Sequence, residues 1–285
     1  MTQPYAEVIG DPIAQSKSPA IHGFWLAELG LPGRYEHCRV RQDELAKYLA
    51  RRRTDPDWRG CNVTMPHKLA ILPLLDRLDP LAARIGAVNT VVRERDGTLT
   101  GINTDAPGFL EPLRAELERV HLFRMARVLG TGGAARAIVA ALASKSFVVV
   151  LAGRDPAKAR AMLDELAPGA DHHAIGLDHF ADATDFAFDD RAGCLDLVVN
   201  ASPLGMTGQP PLAFDFSHAP PGAIAYDIVT SPLNTRFLQN AAESGLRTVD
   251  GLSMLIGQAA IAFGHFFGAQ APRDRDAALR ALILA

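Results

Sequence analysis

The sequence holds only three cysteines in 285 residues, Cys38, Cys61 and Cys194, and their spacing matches neither a metal knuckle nor a redox pair. A scattered, odd set of this kind builds no disulfide framework, which points to a reducing compartment and so to the cytoplasm. Neither sign of charge dominates: 29 Lys and Arg stand against 32 Asp and Glu, a formal net charge of -3. A chain so balanced has no electrostatic footprint for nucleic acid. Its two arginine-rich spots, Arg51 to Arg53 and the stretch from Arg34 to Arg41, read as solvated faces. Long apolar runs are missing as well. The most apolar late stretch, Leu252 to Phe267, is broken by Gln258 and His265 and is too short to span a bilayer. The opening residues MTQPYAEVIG lack the basic segment and apolar run of a secretory signal, so none is expected. Among nine histidines no His, Cys or carboxylate spacing suits a metal, and a metal-free site is expected.

What is present is a globular composition, 48% hydrophobic and 21% charged, on a chain long enough for two domains. Short β-rich runs alternate with amphipathic helical runs. AEVIG, YEHCRV and GCNVT form a first series; RVLG, FVVVLAG, LDLVVN and AIAYDIV form a second. Strands alternating with helices predict parallel sheets built from βαβ units. Near-continuous apolar strands such as FVVVL suit sheets covered on both faces. AVNTVV and TLTGIN, separated by Asp96-Gly97, predict a hairpin. The domain junction is expected at Asp105 to Phe109, ahead of a charged helix from about Leu110 to Arg119, and the His172-His173 pair on a solvent-exposed strand or loop. The apolar helix from about Gly251 onward suits either domain by pattern alone.

Residues Arg127 to Val139 read as a strand, a glycine turn and a helix start, with Gly130, Thr131, Gly132, Gly133, Ala134 and Arg136 at the turn. Glycines let backbone amides approach a pyrophosphate, and the helix N-terminus adds donors and a favourable dipole. The third glycine of the full fingerprint is missing and Gly133 is extra. At the tip of the next strand, where an NAD enzyme carries an acidic side chain for the ribose, the sequence reads Gly153-Arg154-Asp155-Pro156-Ala157-Lys158. Arg154 and Lys158 can converge on one phosphate, which favours NADP. Asp155 has two readings: a carboxylate accepting from a ribose hydroxyl, as with NAD, or the N-cap ahead of Pro156.

Polar motifs stud the first third of the chain: Gly10 to His22 with Ser16, Ser18 and Pro19; Gly60 to Lys68 with Asn62, Thr64 and Pro66; Gly86 to Thr90 with Asn89; and Gly101 to Asp105. Taken singly each has an ordinary explanation. Ser16 and Ser18 suit helix caps, Lys68 a surface lysine, Asp105 the N-cap of a helix near Pro107, and Gln258 a buried amide satisfied by backbone. Taken in order, with the GxGGAxR turn and the late Gly251 to Ala259 segment, they resemble the shikimate dehydrogenase family from about Ile9 to Pro272.

The resemblance implies two α/β domains with the active site in the cleft between them. Residues 1–104, completed by the C-terminal helices of 251–285, would form a substrate-binding domain. Residues 105–250 would form a Rossmann-type, doubly wound nucleotide-binding domain. It further implies reversible NADP-dependent reduction of 3-dehydroshikimate to shikimate, with Lys68 and Asp105 as the catalytic pair. Ser16 and Ser18 would take the substrate carboxylate. Asn62, Thr64, Asn89, Asp105 and Gln258 would bind ring hydroxyls or hold the pocket, and Tyr226 would sit near the carboxylate and nicotinamide. On the cofactor side, Arg136, Arg154 and Lys158 would face the adenosine phosphates, joined by the glycine turn, Ser202, Ile224 and Gly251. The expected partner is a small molecule rather than nucleic acid or membrane, and the expected state a monomer or homodimer. Alternatives are a quinate/shikimate dehydrogenase using NAD, a relative acting on an amino-substituted shikimate, and a non-catalytic sensor of shikimate or quinate. Gly153 and Asp155 depart from the family's usual Asn and Thr, and Thr230-Ser231-Pro232 from its usual Tyr-Asn-Pro.

Overall fold

The computed structural model describes residues 3–169, 171–189 and 191–284. The chain divides into two compact units, Met1–Asp105 with Ile256–Ala285, and Ala106–Leu255. The helix Gly251–Phe267 straddles the second division.

The first unit contains strands β1 (Tyr5–Gly10), β2 (Arg34–Arg39), β3 (Trp58–Val63), β4 (Arg77–Leu78), β5 (Thr90–Arg93) and β6 (Leu99–Ile102) in the order β2-β1-β3-β5-β6-β4. β1 pairs in parallel with β2 and β3, whereas β5 is antiparallel to both β3 and β6. The Asp96-Gly97 turn therefore closes the expected hairpin, and the sheet is mixed rather than parallel throughout.

β1 is buried along its whole length because both faces are covered. Tyr5 and Ile9 pack with Leu45, Tyr48, Trp58, Ile71 and Leu99 on one face. Ala6 and Val8 pack with Tyr35, Ala262 and Phe266 on the other. Glu7 lies between them, 3% exposed. Its carboxylate accepts from Tyr48 Oη at 2.7 Å and from Arg52 Nε and Nη2 at 2.8 and 2.5 Å. Arg52 is thus not a solvated arginine: a buried carboxylate needs a cation, and Arg52 is the residue of its run that turns inward.

The second face of this sheet is roofed by aromatic rings. His22, from the helix Ser18–Glu28, stacks on Tyr35 at 4.0 Å with an interplanar angle of 1° and meets Trp25 edge-on at 5.6 Å. Neither ring nitrogen has a hydrogen-bond partner among the described residues, and burial pushes the imidazole down to about 3. The folded protein therefore binds fewer protons than the unfolded chain between that value and the ordinary 6.5. The stabilisation is complete above the unfolded value and is lost as pH falls, by about 1.4 kcal/mol per pH unit. His22→Phe should flatten the fall in unfolding free energy between about pH 6.5 and 5, measured by urea titration, a window above most carboxylates. An identical pH slope in the two proteins would remove His22 as the cause.

The second unit carries β7 (Phe123–Leu129), β8 (Val148–Gly153), β9 (His173–Gly176), β10 (Cys194–Asn200), β11 (Ile224–Asp227) and β12 (Arg247–Val249), ordered β12-β11-β10-β7-β8-β9 and parallel throughout. The chain runs outward from β7 to β9, then returns to pair β10 on the other side of β7. This reversal creates a switch point beside β7, where such sheets bind ligands at the strands' carboxyl ends. The fold is α/β in both units, the second doubly wound, as expected.

Some local expectations change. The helix after the junction begins at Asp105, not near Leu110, and is broken into Asp105–Leu110, a 3-10 turn Glu111–Leu113 and Arg114–Leu117. Pro112 removes an amide donor at the break. His172 is buried, not exposed, because its Nδ1 accepts from the Val149 amide at 2.9 Å; His173 is exposed. Among the described residues no helix is long and apolar enough to cross a membrane.

Candidate active site

All four polar motifs of the first unit reach one edge of its sheet. β1, β3 and β6 end there, and β5, running the other way, begins there: Asn62 pairs with Thr90, and Thr90 with Ile102. Residues that follow β1, β3 and β6, or precede β5, are therefore delivered to the same place.

At the centre of this edge Lys68 Nζ donates to Asp105 Oδ2 at 2.5 Å, with side-chain exposures of 14% and 7%. Lys68 lies on the short helix His67–Ala70, whose base is fixed twice. The buried His67 ring places Nε2 2.6 Å from the Val40 carbonyl, and the Lys68 carbonyl accepts from the Val88 amide at 2.9 Å. Asp105 opens its helix directly after β6, and its Oδ1 accepts from Asn89 Nδ2 at 2.9 Å. Both oxygens thus have one fixed donor, and lone pairs remain on each for a hydroxyl.

Around this pair, Gln258 Oε1 accepts from Asn89 Nδ2 and Thr104 Oγ1, each at 3.3 Å, so the apolar helix Gly251–Phe267 contributes an amide to the same edge. The Thr64 hydroxyl is half-buried and without a hydrogen-bond partner among the described residues. The Ser16 hydroxyl donates to Ser18 Oγ at 3.3 Å and accepts from the Ser18 amide at 3.3 Å. Two hydroxyls, half-buried and buried, stand together after β1. Asn62, by contrast, is fully engaged within the protein. Its Oδ1 accepts from Tyr35 Oη at 2.6 Å, while Nδ2 donates to Thr90 Oγ1 at 2.9 Å and the Asn89 carbonyl at 3.4 Å.

In the second unit the glycine turn follows β7 and leads into the helix Gly133–Ala143. Gly130 has φ +126, and a Cβ there would lie 2.8 Å from the Ala201 carbonyl oxygen, so only glycine brings the turn this close to the end of β10. Gly132 is the N-cap, lacks a capping side chain and faces open space, with nothing within 4 Å of an added Cβ. The helix amides are thus left for an anion. At the end of β8, a Cβ on Gly153 would sit 2.7 Å from Thr131 Cγ2, which explains the glycine by packing against the turn. Asp155 Oδ1 accepts from the Ala157 and Lys158 amides at 2.9 and 3.3 Å, so the helix cap is present as expected. Arg154 and Lys158 are exposed and have no side-chain partner among the described residues.

Three residues expected at the cofactor or substrate are buried or engaged within the second unit. Tyr226 is 0% exposed in β11, stacked on Phe109 at 4.8 Å and 15°, with burial holding its phenol well above the usual tyrosine range. Its hydroxyl is buried without a hydrogen-bond partner among the described residues. Ile224 begins the same strand, 1% exposed, three residues before Asp227, which lies level with Asn200 at the carboxyl edge. Ile224 itself lies level with Leu197 of β10 and Ala126 of β7, in the middle of the sheet rather than at its carboxyl edge. Arg136 is held in an ion pair with Glu165 rather than presented alone to a phosphate. Ser202 stands at the carboxyl edge, but its hydroxyl donates to Asn200 Oδ1 at 2.7 Å and accepts from the Leu204 amide at 3.2 Å. Gly251 is required for space: a Cβ would lie 2.4 Å from the Val229 carbonyl oxygen.

The sequence model of the shikimate dehydrogenase substrate binding domain matches residues 8–91, and that of the shikimate 5'-dehydrogenase C-terminal domain matches 251–282. A relative from Sphingopyxis alaskensis named shikimate dehydrogenase (NADP(+)) is 52% identical over 284 residues, 99% of this chain and 97% of its own length. The chain belongs to the shikimate dehydrogenase family. Among solved structures, the shikimate 5-dehydrogenase of Thermus thermophilus in complex with NADP(H) and shikimate is similar with a TM-score of 0.80 and 37% identity, covering 98% of this chain and 99% of that one. The quinate dehydrogenase of Corynebacterium glutamicum in complex with NAD has a TM-score of 0.78 and 30% identity, with 99% of each chain covered.

Beyond the side chains expected to act, Tyr35, Thr90 and Thr104 are buried and hydrogen-bonded to motif side chains. Thr90 and Thr104 lie within the Gly86 to Thr90 and Gly101 to Asp105 motifs, whose reading gives them no role. Tyr35 lies at the start of β2, in a stretch of charged residues, with nothing local to mark it.

Proposed function

We propose that the chain catalyses the reversible NADP-dependent reduction of 3-dehydroshikimate to shikimate, a step of aromatic amino acid biosynthesis. The observation that carries this reading is the Lys68–Asp105 pair, held among Asn89, Thr104 and Gln258 at the carboxyl edge of the first sheet, in a member of this family. The first unit holds the substrate and the second the dinucleotide. The enzyme works in the cytoplasm as a monomer or homodimer, with a small molecule rather than nucleic acid as its partner.

The residues of the second unit fit NADP. The uncapped helix amides at Gly132 and Gly133 suit the pyrophosphate, and unpartnered Arg154 and Lys158 suit a ribose phosphate. When bound, this group supplies the hydride in reduction and takes it in oxidation. The protein's own task is the proton and the orientation. The Ser16 and Ser18 hydroxyls bind the substrate carboxylate, fixing the ring at one end. Lys68 and Asp105 both bind the reacting oxygen. In reduction the Lys68 ammonium donates its proton to the carbonyl oxygen as it becomes an alcohol; in oxidation Lys68 takes the proton back. Asp105 holds the Lys68 ammonium in place and accepts from the substrate hydroxyl.

The reading is tested by following the absorbance of reduced nicotinamide with shikimate and quinate, each against NADP and NAD. Turnover with shikimate and NADP far above the other three combinations is expected. Faster turnover with quinate or NAD would move the chain to the quinate branch, and tight binding without turnover would make it a sensor. Arg154→Ala should raise KM for NADP by about 10–100-fold, the worth of one charge-assisted hydrogen bond, and leave KM for NAD nearly unchanged. Equal effects on both cofactors would place Arg154 away from the 2′-phosphate.

A further inference from the structure

We infer that Tyr35 is a positioning residue for Asp105, acting through a one-way chain of hydrogen bonds that passes through Asn62, Thr90 and Asn89. The inference rests on the dehydrogenase reading above for its catalytic consequence, though not for the existence of the chain.

Each link leaves the next only one direction. Tyr35 Oη donates to Asn62 Oδ1 at 2.6 Å, which turns the Asn62 nitrogen toward Thr90 Oγ1 at 2.9 Å. The Thr90 hydroxyl, having accepted, has a single proton to give, and the nearer acceptor for it is Asn89 Oδ1 at 3.2 Å, with Thr104 Oγ1 at 3.4 Å. The Asn89 oxygen is also held by the Thr104 amide at 2.7 Å. That leaves Asn89 Nδ2, with its two protons, facing Thr104 Oγ1 at 2.8 Å and Asp105 Oδ1 at 2.9 Å, the latter opposite the oxygen bound by Lys68. Reversing the sense would set the Asn89 carbonyl oxygen against a carboxylate oxygen, which repels. All the donors therefore point along the chain toward Asp105.

The chain is also dry. Exposure is 7% at Tyr35, 5% at Asn62, 0% at Thr90, 2% at Asn89 and 5% at Asp105, so water does not compete for the links and each polarises the next. At its far end the phenol ring is clamped flat against His22, whose nitrogens make no hydrogen bond among the described residues and so do not draw the phenolic proton away. The Tyr35 hydroxyl is thus committed to Asn62. Without it the Asn62 oxygen is buried and unpaired, the Asn62 amide is held only through its nitrogen, and Asn89 keeps the Thr104 amide but loses the support that reaches it through Thr90.

The test is Tyr35→Phe, which keeps the ring stack and removes only the donor. A fall in kcat of roughly tenfold is expected, with KM for shikimate nearly unchanged, because Asp105 loses alignment rather than the substrate losing a contact. Thr90→Val cuts the same chain and should lower kcat alike. The double variant should be no worse than either single, and Thr90→Ser should restore activity. Independently of turnover, the Asn89 side-chain amide resonances should shift in Tyr35→Phe. Wild-type kcat in Tyr35→Phe, additive losses in the double variant, or unmoved Asn89 resonances would each overturn the chain. A wild-type protein without dehydrogenase activity, together with shifted Asn89 resonances, would instead sink the reaction and leave the chain standing.

Discussion

Lys68→Ala is expected to lower kcat for shikimate oxidation by about 10²–10⁴-fold, the usual worth of a positioned acid–base group. Lys68 Nζ is the only charged donor on Asp105 among the described residues, and no other cation stands there to take over its proton. The substitution also leaves a carboxylate of 5% exposure without its counter-charge, so some stability is lost with it. The two effects separate experimentally. Lys68 is not part of the glycine turn or of the Arg154–Lys158 tip, so NADPH binding, followed by its fluorescence, should persist in the variant. A variant that binds NADPH and turns over at the wild-type rate would rule out the acid–base role. One that neither binds nor folds would be answered by Lys68→Arg, which keeps the charge but cannot exchange its proton.

The largest effect on folding is expected at Gly60→Ala. Gly60 lies in β3 with φ +148, beside a register shift in the pairing with β1. An added Cβ would meet the Val91 carbonyl oxygen at 2.1 Å and Phe266 Cε1 at 2.7 Å. The first contact is backbone of the neighbouring strand, so relief requires β5 to move. The second is a side chain of the helix that roofs the sheet, already packed on Ala6 and Val8. Backbone strain and overpacking together should cost about 3–5 kcal/mol, a large share of the 5–15 kcal/mol that holds a typical protein folded. Trp25 and Trp58 are the chain's two tryptophans and both lie in the first unit, so their fluorescence reports this unit's unfolding in urea. An unchanged midpoint would show that the strand has room to shift.

The sequence reveals most of this architecture because inner strands announce themselves. β1, β8, β10 and β11 are apolar on both faces and flanked by helical patterns. The strands it does not reveal, β4, β9 and β12, are all sheet edges, short and half-exposed, with no need of apolar residues on both sides. At the site, Lys68, Asp105 and Asn89 are legible because their motifs flank strand ends, and Gln258 because its helix carries the Gly251 to Ala259 pattern of the family; none is legible taken singly. Tyr226 is not, since the run Ala-Tyr-Asp-Ile shows only that a strand passes. Whether its tyrosine faces outward or into the sheet depends on Phe109, far away in sequence, which stacks against it. Tyr35 is hidden for the opposite reason. Its partner Asn62 is 27 residues on, and only the pairing of β2 and β3 on either side of β1 brings the two together. Asp155 shows a third kind of limit: a carboxylate beside a nucleotide turn and a helix N-cap use the same residue type, and the cap shows only in its hydrogen bonds.

The helix Gly251–Phe267 has a consequence for how the chain comes off the ribosome. The second unit is continuous in sequence, so it can fold while the last residues are still being translated. The first unit begins first yet finishes last, since the helix Ser18–Glu28 covers only part of the face that holds Ala6, Val8 and Tyr35, and the rest waits for Ala262 and Phe266 to emerge. For the time needed to synthesise the intervening residues, the part of that face later covered by Ala262 and Phe266 is an apolar surface open to water and to other nascent chains. The amide of Gln258 arrives on that same covering helix, so the polar edge around Asp105 and the apolar face behind it are completed in one late event.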